Sequence, residues 1–194
     1  MKSANDRSSP SAPQILVFAG PNGSGKSSVT SAWQTVGIYI NADDIKVRRN
    51  STDLEAAREA EQLRESCLNE RRSFTFETVL STDRNLDFLA RAKATGFCIE
   101  GVYVLTSNAE LNVFRVHSRE LNGGHGVPSD KIRSRYTKSL ANIPRLLALC
   151  STFRIIDNTV EPETIYFKDA HITQIRPNRF WTAEAIEKLT YSLS

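Results

Sequence analysis

Short apolar runs alternate along this chain with longer stretches in which apolar residues recur every three or four positions. The first run, Gln14-Ile15-Leu16-Val17-Phe18-Ala19, has the length and unbroken apolarity of a buried strand. The β-branched and aromatic segments 37–41, 73–78, 97–105 and 152–157 read the same way, giving five strands. Between them lie helical patterns. The segment after residue 26 predicts a helix over 27–36. Residues 53–69 place Leu54, Ala57, Leu63 and Cys67 on one stripe. Ser81 is placed to cap a helix that turns Leu86, Leu89 and Ala90 inward and stops at Gly96. Ser107-Asn108-Ala109-Glu110 reads as a capping box opening a helix to Leu121. Pro128 and Ser129 start another, with Ile132, Tyr136, Leu140, Ile143 and Leu147 on one face and a kink at Pro144. Segment 165–175 adds one or two edge strands, and 182–189 a terminal helix.

Strands that alternate with helices predict an α/β fold, a parallel sheet covered on both faces and joined by right-handed crossovers. A length of 194 residues suits one domain. We expect it to span 14–194, after a flexible Ser- and Pro-rich tail over 1–13 that lacks the apolar core of a signal peptide. No apolar run approaches the roughly 18–20 residues of a membrane span. The expectation is a cytoplasmic protein with no membrane partner. Three widely spaced cysteines, Cys67, Cys98 and Cys150, fit a reducing compartment and show no metal spacing. The net charge of +3 is too small to argue for nucleic acid by itself, yet the clustering of arginines leaves a nucleic-acid acceptor open.

The chemistry concentrates where the first strand ends. Gly20-Pro21-Asn22-Gly23-Ser24-Gly25-Lys26-Ser27 fits the phosphate-binding P-loop, in the strand–loop–helix context the motif requires. Its glycines let consecutive backbone N–H groups point at a polyphosphate, and the helix start adds partial positive charge. Lys26 would reach the β- and γ-phosphates, Ser27 would ligate Mg²⁺, and Ser28 completes the loop's contacts with the nucleotide. Ligands of open α/β sheets bind outside the carboxyl ends of the strands. Asp43 and Asp44 follow the second strand, and Glu77 and Thr78 end the third. A phosphoryl acceptor needs a carboxylate to orient its hydroxyl and take its proton. Asp43 is our choice for that base, with Asp44 as a helix cap or supporting group. Glu77 and Thr78 are expected to hold a metal-bound water or the acceptor. Arg115 and Arg119 share one helix face, while Arg133 and Arg135 stand roughly 200° apart and cannot both face a nucleotide. With His125 in the glycine-rich turn between them, these residues read as a cationic lid over about 107–135 that stabilises a transferring phosphoryl group.

The ordered set of segments resembles the zeta toxin family of P-loop kinases. It comprises 19–27, Ile40-Asn41-Ala42-Asp43-Asp44-Ile45-Lys46, Phe76-Glu77-Thr78-Val79-Leu80-Ser81, Arg115-Val116-His117-Ser118-Arg119, Gly123-Gly124-His125-Gly126-Val127-Pro128, Ile132-Arg133-Ser134-Arg135-Tyr136 with Ser139-Leu140, and Asp157-Asn158. The resemblance implies a kinase fold with five strands in the order 2-3-1-4-5 and a small helical lid. It implies ATP or GTP with Mg²⁺, Asp43 as the base, Glu77 and Thr78 near the acceptor, and lid arginines on the phosphates, with Arg119, Arg133 and Arg135 all candidates. Well-studied members phosphorylate the sugar 3′-hydroxyl of UDP-N-acetylglucosamine, and a small antitoxin blocks their nucleotide site. A UDP-sugar acceptor and an antitoxin partner are therefore expectations here. Two alternatives compete with the small-molecule kinase: a kinase of polynucleotide or RNA ends, and a nucleotide-binding module that acts through protein contacts.

Overall fold

The computed structural model describes residues 12–124 and 126–191. Most of the expected tail and His125 therefore lie outside the described residues. Eight helices and seven strands follow one another among those described. β1 (Gln14–Ala19) leads through the glycine-rich loop into α1 (Lys26–Ser31), then come β2 (Ile38–Ile40), α2 (Ala42–Arg49), α3 (Asp53–Asn69) and β3 (Phe74–Thr78). α4 (Arg84–Ala94), β4 (Cys98–Leu105), α5 (Ala109–Leu121), α6 (Ser129–Ala141) and α7 (Ile143–Leu149) precede β5 (Thr152–Asp157). β6 (Glu163–Lys168), β7 (Thr173–Ile175) and α8 (Ala183–Thr190) close the chain.

The fold is that of the P-loop kinases, with one correction to the expected sheet. The strands run β2-β3-β1-β4-β5-β6-β7. The first five are parallel in the expected order, but β6 and β7 add antiparallel to β5, so the sheet is mixed and has seven strands, not five. The difference is physical. β5 to β6 is joined by a short loop, which permits only an antiparallel return, whereas each parallel pair needs a crossover. β1 and β4, flanked on both edges, are almost wholly buried.

Apolar residues fill both sheet faces. Leu16, Phe18, Val29, Val102, Val104 and Ile156 pack with Trp33 and Val36 on one side. A larger cluster around Phe74, Phe76, Phe88, Leu89, Tyr103 and Phe153 lies on the other. A third, small cluster of Val113, Val116 and Ile132, with Val127, joins α5 to α6.

Several local expectations change. α1 stops at Ser31, since Ala32 and Trp33 bond back by three residues to Val29 and Thr30, which tightens the last turn and ends the helix. α3 presents the face with Ala56, Ala60, Cys67 and Leu68 to the core, while Leu54 is 60% and Leu63 39% exposed. Small alanines let α3 approach closely, and Arg64 fills the gap between Ala60 and Leu68 by laying its guanidinium 5.2 Å from the Phe76 ring centre. The cap of α4 is not Ser81, because the helix begins at Arg84 with Asp83 in the capping position. Nor do Ser107 and Glu110 form a capping box: Asn108 caps α5 by accepting from Leu111 N at 2.9 Å, and Glu110 turns to Arg133. Pro144 starts a separate helix, α7, instead of kinking a continuous one, as its missing N–H is harmless in a first turn. Finally, α2, for which the sequence offered only a cap at Asp44 and no bounds, begins two residues earlier at Ala42. Among the described residues no helix is long and apolar enough to cross a membrane.

Candidate functional site

The glycine-rich loop is held from the β4–β5 side by two asparagines. Asn112 of α5, wholly buried, donates from Nδ2 to the Asn22 carbonyl at 2.8 Å. Asn158, immediately after β5, donates from Nδ2 to the Ser24 carbonyl at 2.8 Å. Glycine is obligatory between these contacts. Gly23 and Gly25 adopt φ of 79° and 86°, the left-handed region. A Cβ at Gly25 would also sit 2.1 Å from Asn158 Nδ2, and one at Gly23 2.5 Å from the Asn112 carbonyl oxygen. α1 opens on Gly25 with no side-chain cap, which leaves its first amides for an anion. Lys26 lies back over the loop and donates to the Gly20 and Pro21 carbonyls at 2.7 and 3.1 Å. Burial pushes its ammonium down to about 8; Glu77 and Asp43 oppose the drop, and Arg119 adds to it.

Facing Lys26 is a cleft of about 560 Å³ whose walls include Ser27, Ser28, Asp43, Glu77, Arg115 and Arg119. Ser27 Oγ donates to Glu77 Oε2 at 3.0 Å. Two hard oxygen donors at the start of the P-loop helix fit Mg²⁺, which prefers such ligands beside substrate phosphates. Asp43 reaches the cleft through α2. Asn41 Oδ1 accepts from Asp43 N at 2.9 Å and thereby caps the helix. The cap expected of Asp44 thus belongs to Asn41, and Asp44, one residue further round, is not among the cleft walls. Thr78 lines the cleft, yet its hydroxyl oxygen accepts from Leu80 N at 3.0 Å and Asn85 Nδ2 at 2.7 Å, and its carbonyl accepts from Gly20 N. It serves chiefly to join β3 to the loop. The next bend is strained: buried Leu80 has φ of 57°, held by Asn142 Nδ2 on its carbonyl at 3.0 Å.

The four arginines separate. Arg119 lines the cleft close enough to Lys26 to depress its pKa. Arg115 also lines it, but donates to the Asn158 and Thr159 carbonyls at 2.8 and 3.0 Å, which ties α5 to the β5–β6 loop. Arg135 reaches the P-loop at Asn22 Oδ1, 3.3 Å away. Arg133 does neither. Its guanidinium makes an exposed two-pronged pair with Glu110 at 2.7 and 2.8 Å, outside the cleft.

Four polar residues of the site have no role assigned from the sequence: Tyr39 and Asn112, which it does not single out, and Asn41 and Asn158, which lie in the segments that resemble the family. Asn158 carried a usable signal, being the first residue beyond a strand's carboxyl end. Tyr39 sits inside a strand, and Asn112 on the buried face of a helix, where nothing in the local pattern distinguishes them.

A family model for zeta toxin matches residues 2–172. A protein of Haemophilus influenzae, described as uncharacterized, is 31% identical over 129 residues, covering 63% of this chain and 92% of its own. Among solved structures, one from the PezAT chromosomal toxin–antitoxin system of Streptococcus pneumoniae superposes with a TM-score of 0.64 at 16% identity, covering 94% of this chain and 81% of that one. The AvrRxo1-ORF1:-ORF2 structure with ATP gives 0.69 at 16% identity, over 94% of this chain and 65% of the other. A chain of the Pnkp1/Rnl/Hen1 RNA repair complex gives 0.53 at 19% identity, over 70% and 46%. At such identities these structures speak for the fold.

Proposed function

The chain belongs to the zeta toxin family, and on that premise we propose that it is a kinase transferring the γ-phosphoryl group of ATP to a hydroxyl of a small molecule. The observation that carries this reading is the meeting of Lys26, the Ser27–Glu77 pair and Asp43 on the walls of one cleft. Lys26 and the loop amides hold the phosphates. Ser27, with Glu77 behind it, would hold Mg²⁺, which when bound neutralises charge on the β- and γ-phosphates. Asp43 orients the acceptor hydroxyl and takes its proton. Arg119 stabilises charge on the phosphoryl in flight, and residues of about 107–135 close over it as a lid.

ATP is the donor we favour, since a protein of similar fold is described in complex with it. UDP-sugars such as UDP-N-acetylglucosamine are the first acceptors to test, by family membership. An antitoxin protein is the expected partner, given that one neighbour of similar fold belongs to a toxin–antitoxin system.

The test is mass spectrometry of UDP-sugars, other sugar nucleotides and short oligonucleotides after incubation with Mg²⁺-ATP. A single phosphoryl gain on a small hydroxyl compound supports the proposal. Modification of an oligonucleotide alone, weakening steeply with salt, moves the reading to a nucleic-acid-end kinase. ATP binding with no acceptor modified, and hydrolysis indifferent to Asp43→Asn, moves it to a binding module.

The arginines supply a further check. Arg119→Ala should lower transfer about a hundredfold or more, as expected for a cation on the phosphoryl group. Arg133→Ala should stay within about threefold of wild type, because an exposed ion pair contributes little. Comparable losses in both would remove Arg119 from its assigned role.

A further inference from the structure

Ser27 on α1 and the backbone of Asp43 on α2 belong to different elements, yet an unbroken chain of hydrogen bonds joins them. Ser27 Oγ donates to Glu77 Oε2 at 3.0 Å. Tyr39 OH donates to the other carboxylate oxygen, Oε1, at 2.7 Å. Asn41 Nδ2 donates to Tyr39 OH at 2.9 Å, and Asn41 Oδ1 accepts from Asp43 N at 2.9 Å. The geometry follows from the sheet. Tyr39 pairs with Thr75 across β2 and β3, and Glu77 stands two residues further along β3 on the same face. A long side chain on the edge strand therefore reaches it diagonally. Every polar atom in the chain has a compatible role: the phenol gives its one proton to the carboxylate and accepts from the amide.

We propose that Tyr39 is a positioning residue that holds Glu77 with one oxygen turned to Ser27, and that it couples the metal side of the cleft to the helix carrying the base. The inference rests on the kinase reading above. Without the phenol, Oε1 loses its donor and the carboxylate is free to rotate away from Ser27. With it, Glu77 can hold only one orientation toward a cation at Ser27.

Tyr39→Phe removes the hydroxyl alone. Calorimetric titration with the non-hydrolysable analogue adenylyl imidodiphosphate, with and without Mg²⁺, reads the effect independently of turnover. The expected result is metal-free affinity within about twofold of wild type, and a loss of about tenfold in the tightening that Mg²⁺ provides, the scale of one hydrogen bond to a charged group. The Mg²⁺ concentration for half-maximal transfer should rise in step. On a Glu77→Gln background, Tyr39→Phe should add nothing further, whereas a merely structural role would destabilise both backgrounds equally in thermal melting. Undiminished Mg²⁺-dependent tightening in Tyr39→Phe, or a full additional loss on the Glu77→Gln background, overturns the inference and leaves the kinase reading standing. A wild-type protein that binds the analogue with no response to Mg²⁺ overturns both.

Discussion

Asp43→Asn is expected to lower phosphoryl transfer by roughly a thousandfold, within the usual range for a lost general base, with nucleotide affinity staying within about twofold of wild type. The separation follows from position. Asp43 lies in the first turn of α2, an element separate from the glycine-rich loop and α1 that carry the proposed phosphate contacts. Its backbone N–H, not its carboxylate, bonds the Asn41 cap, so amidation leaves the helix start intact. The amide keeps the shape and some capacity to orient a hydroxyl, but cannot accept the proton. The measurement is kcat with the best acceptor from the panel, alongside calorimetric affinity for the ATP analogue. Turnover surviving within about tenfold would take the base role from Asp43, and a parallel collapse of affinity would make it a structural residue of the nucleotide site.

Lys26→Ala acts on the glycine-rich loop, and its expected effect is loss of nucleotide binding by about a hundredfold or more together with loss of turnover. Proton uptake distinguishes the mechanism. In the free protein burial holds the ammonium at about 8. A polyphosphate alongside favours the charged form and raises that pKa. The sign is therefore fixed: binding takes up protons near and above pH 8, where the free lysine is partly neutral, and takes up almost none near pH 6, where it is already charged. Titrations at pH 8 in two buffers of different ionisation enthalpy should reveal uptake of about half a proton, from a pKa of about 8. The uptake should vanish in Lys26→Ala. Equal uptake in the variant would assign the proton to another group, and unchanged affinity would remove Lys26 from the phosphate site.

The two sides of the site were unequally legible. The P-loop could be read residue by residue, because its chemistry depends on backbone conformation and on residues adjacent in sequence. Arg133 and Arg135 could be recognised as incompatible from helical spacing, but choosing between them required knowing that Glu110 stands within reach of Arg133 and Asn22 within reach of Arg135. The stripe on α3 was misread because it was anchored on Leu54 and Leu63, which drew in Ala57, whereas Ala56 and Ala60, which face the core, carry little hydrophobic signal. Close helix packing selects small residues, and a neighbour's shape is invisible in a local pattern. Tyr39 was hidden for the same reason: a tyrosine in an edge strand reads as ordinary strand composition until β3 brings Glu77 alongside.

What the sequence by itself determined is therefore local. The strand–loop–helix unit at 14–31, the alternation that makes a parallel sheet, and the placement of Asp43 and Glu77 at strand ends all follow from hydrophobic period, glycine conformation and the short reach of neighbouring residues. Tertiary structure decided the rest: the antiparallel addition of β6 and β7, the asparagines that clamp the loop across distances of 90 and 134 residues in sequence, and the path from Ser27 through Glu77, Tyr39 and Asn41 to Asp43. Hydrogen bonds and ion pairs form only within about 3 to 4 Å. Such contacts between residues far apart in sequence exist only after the core has set the separation of the elements that carry them.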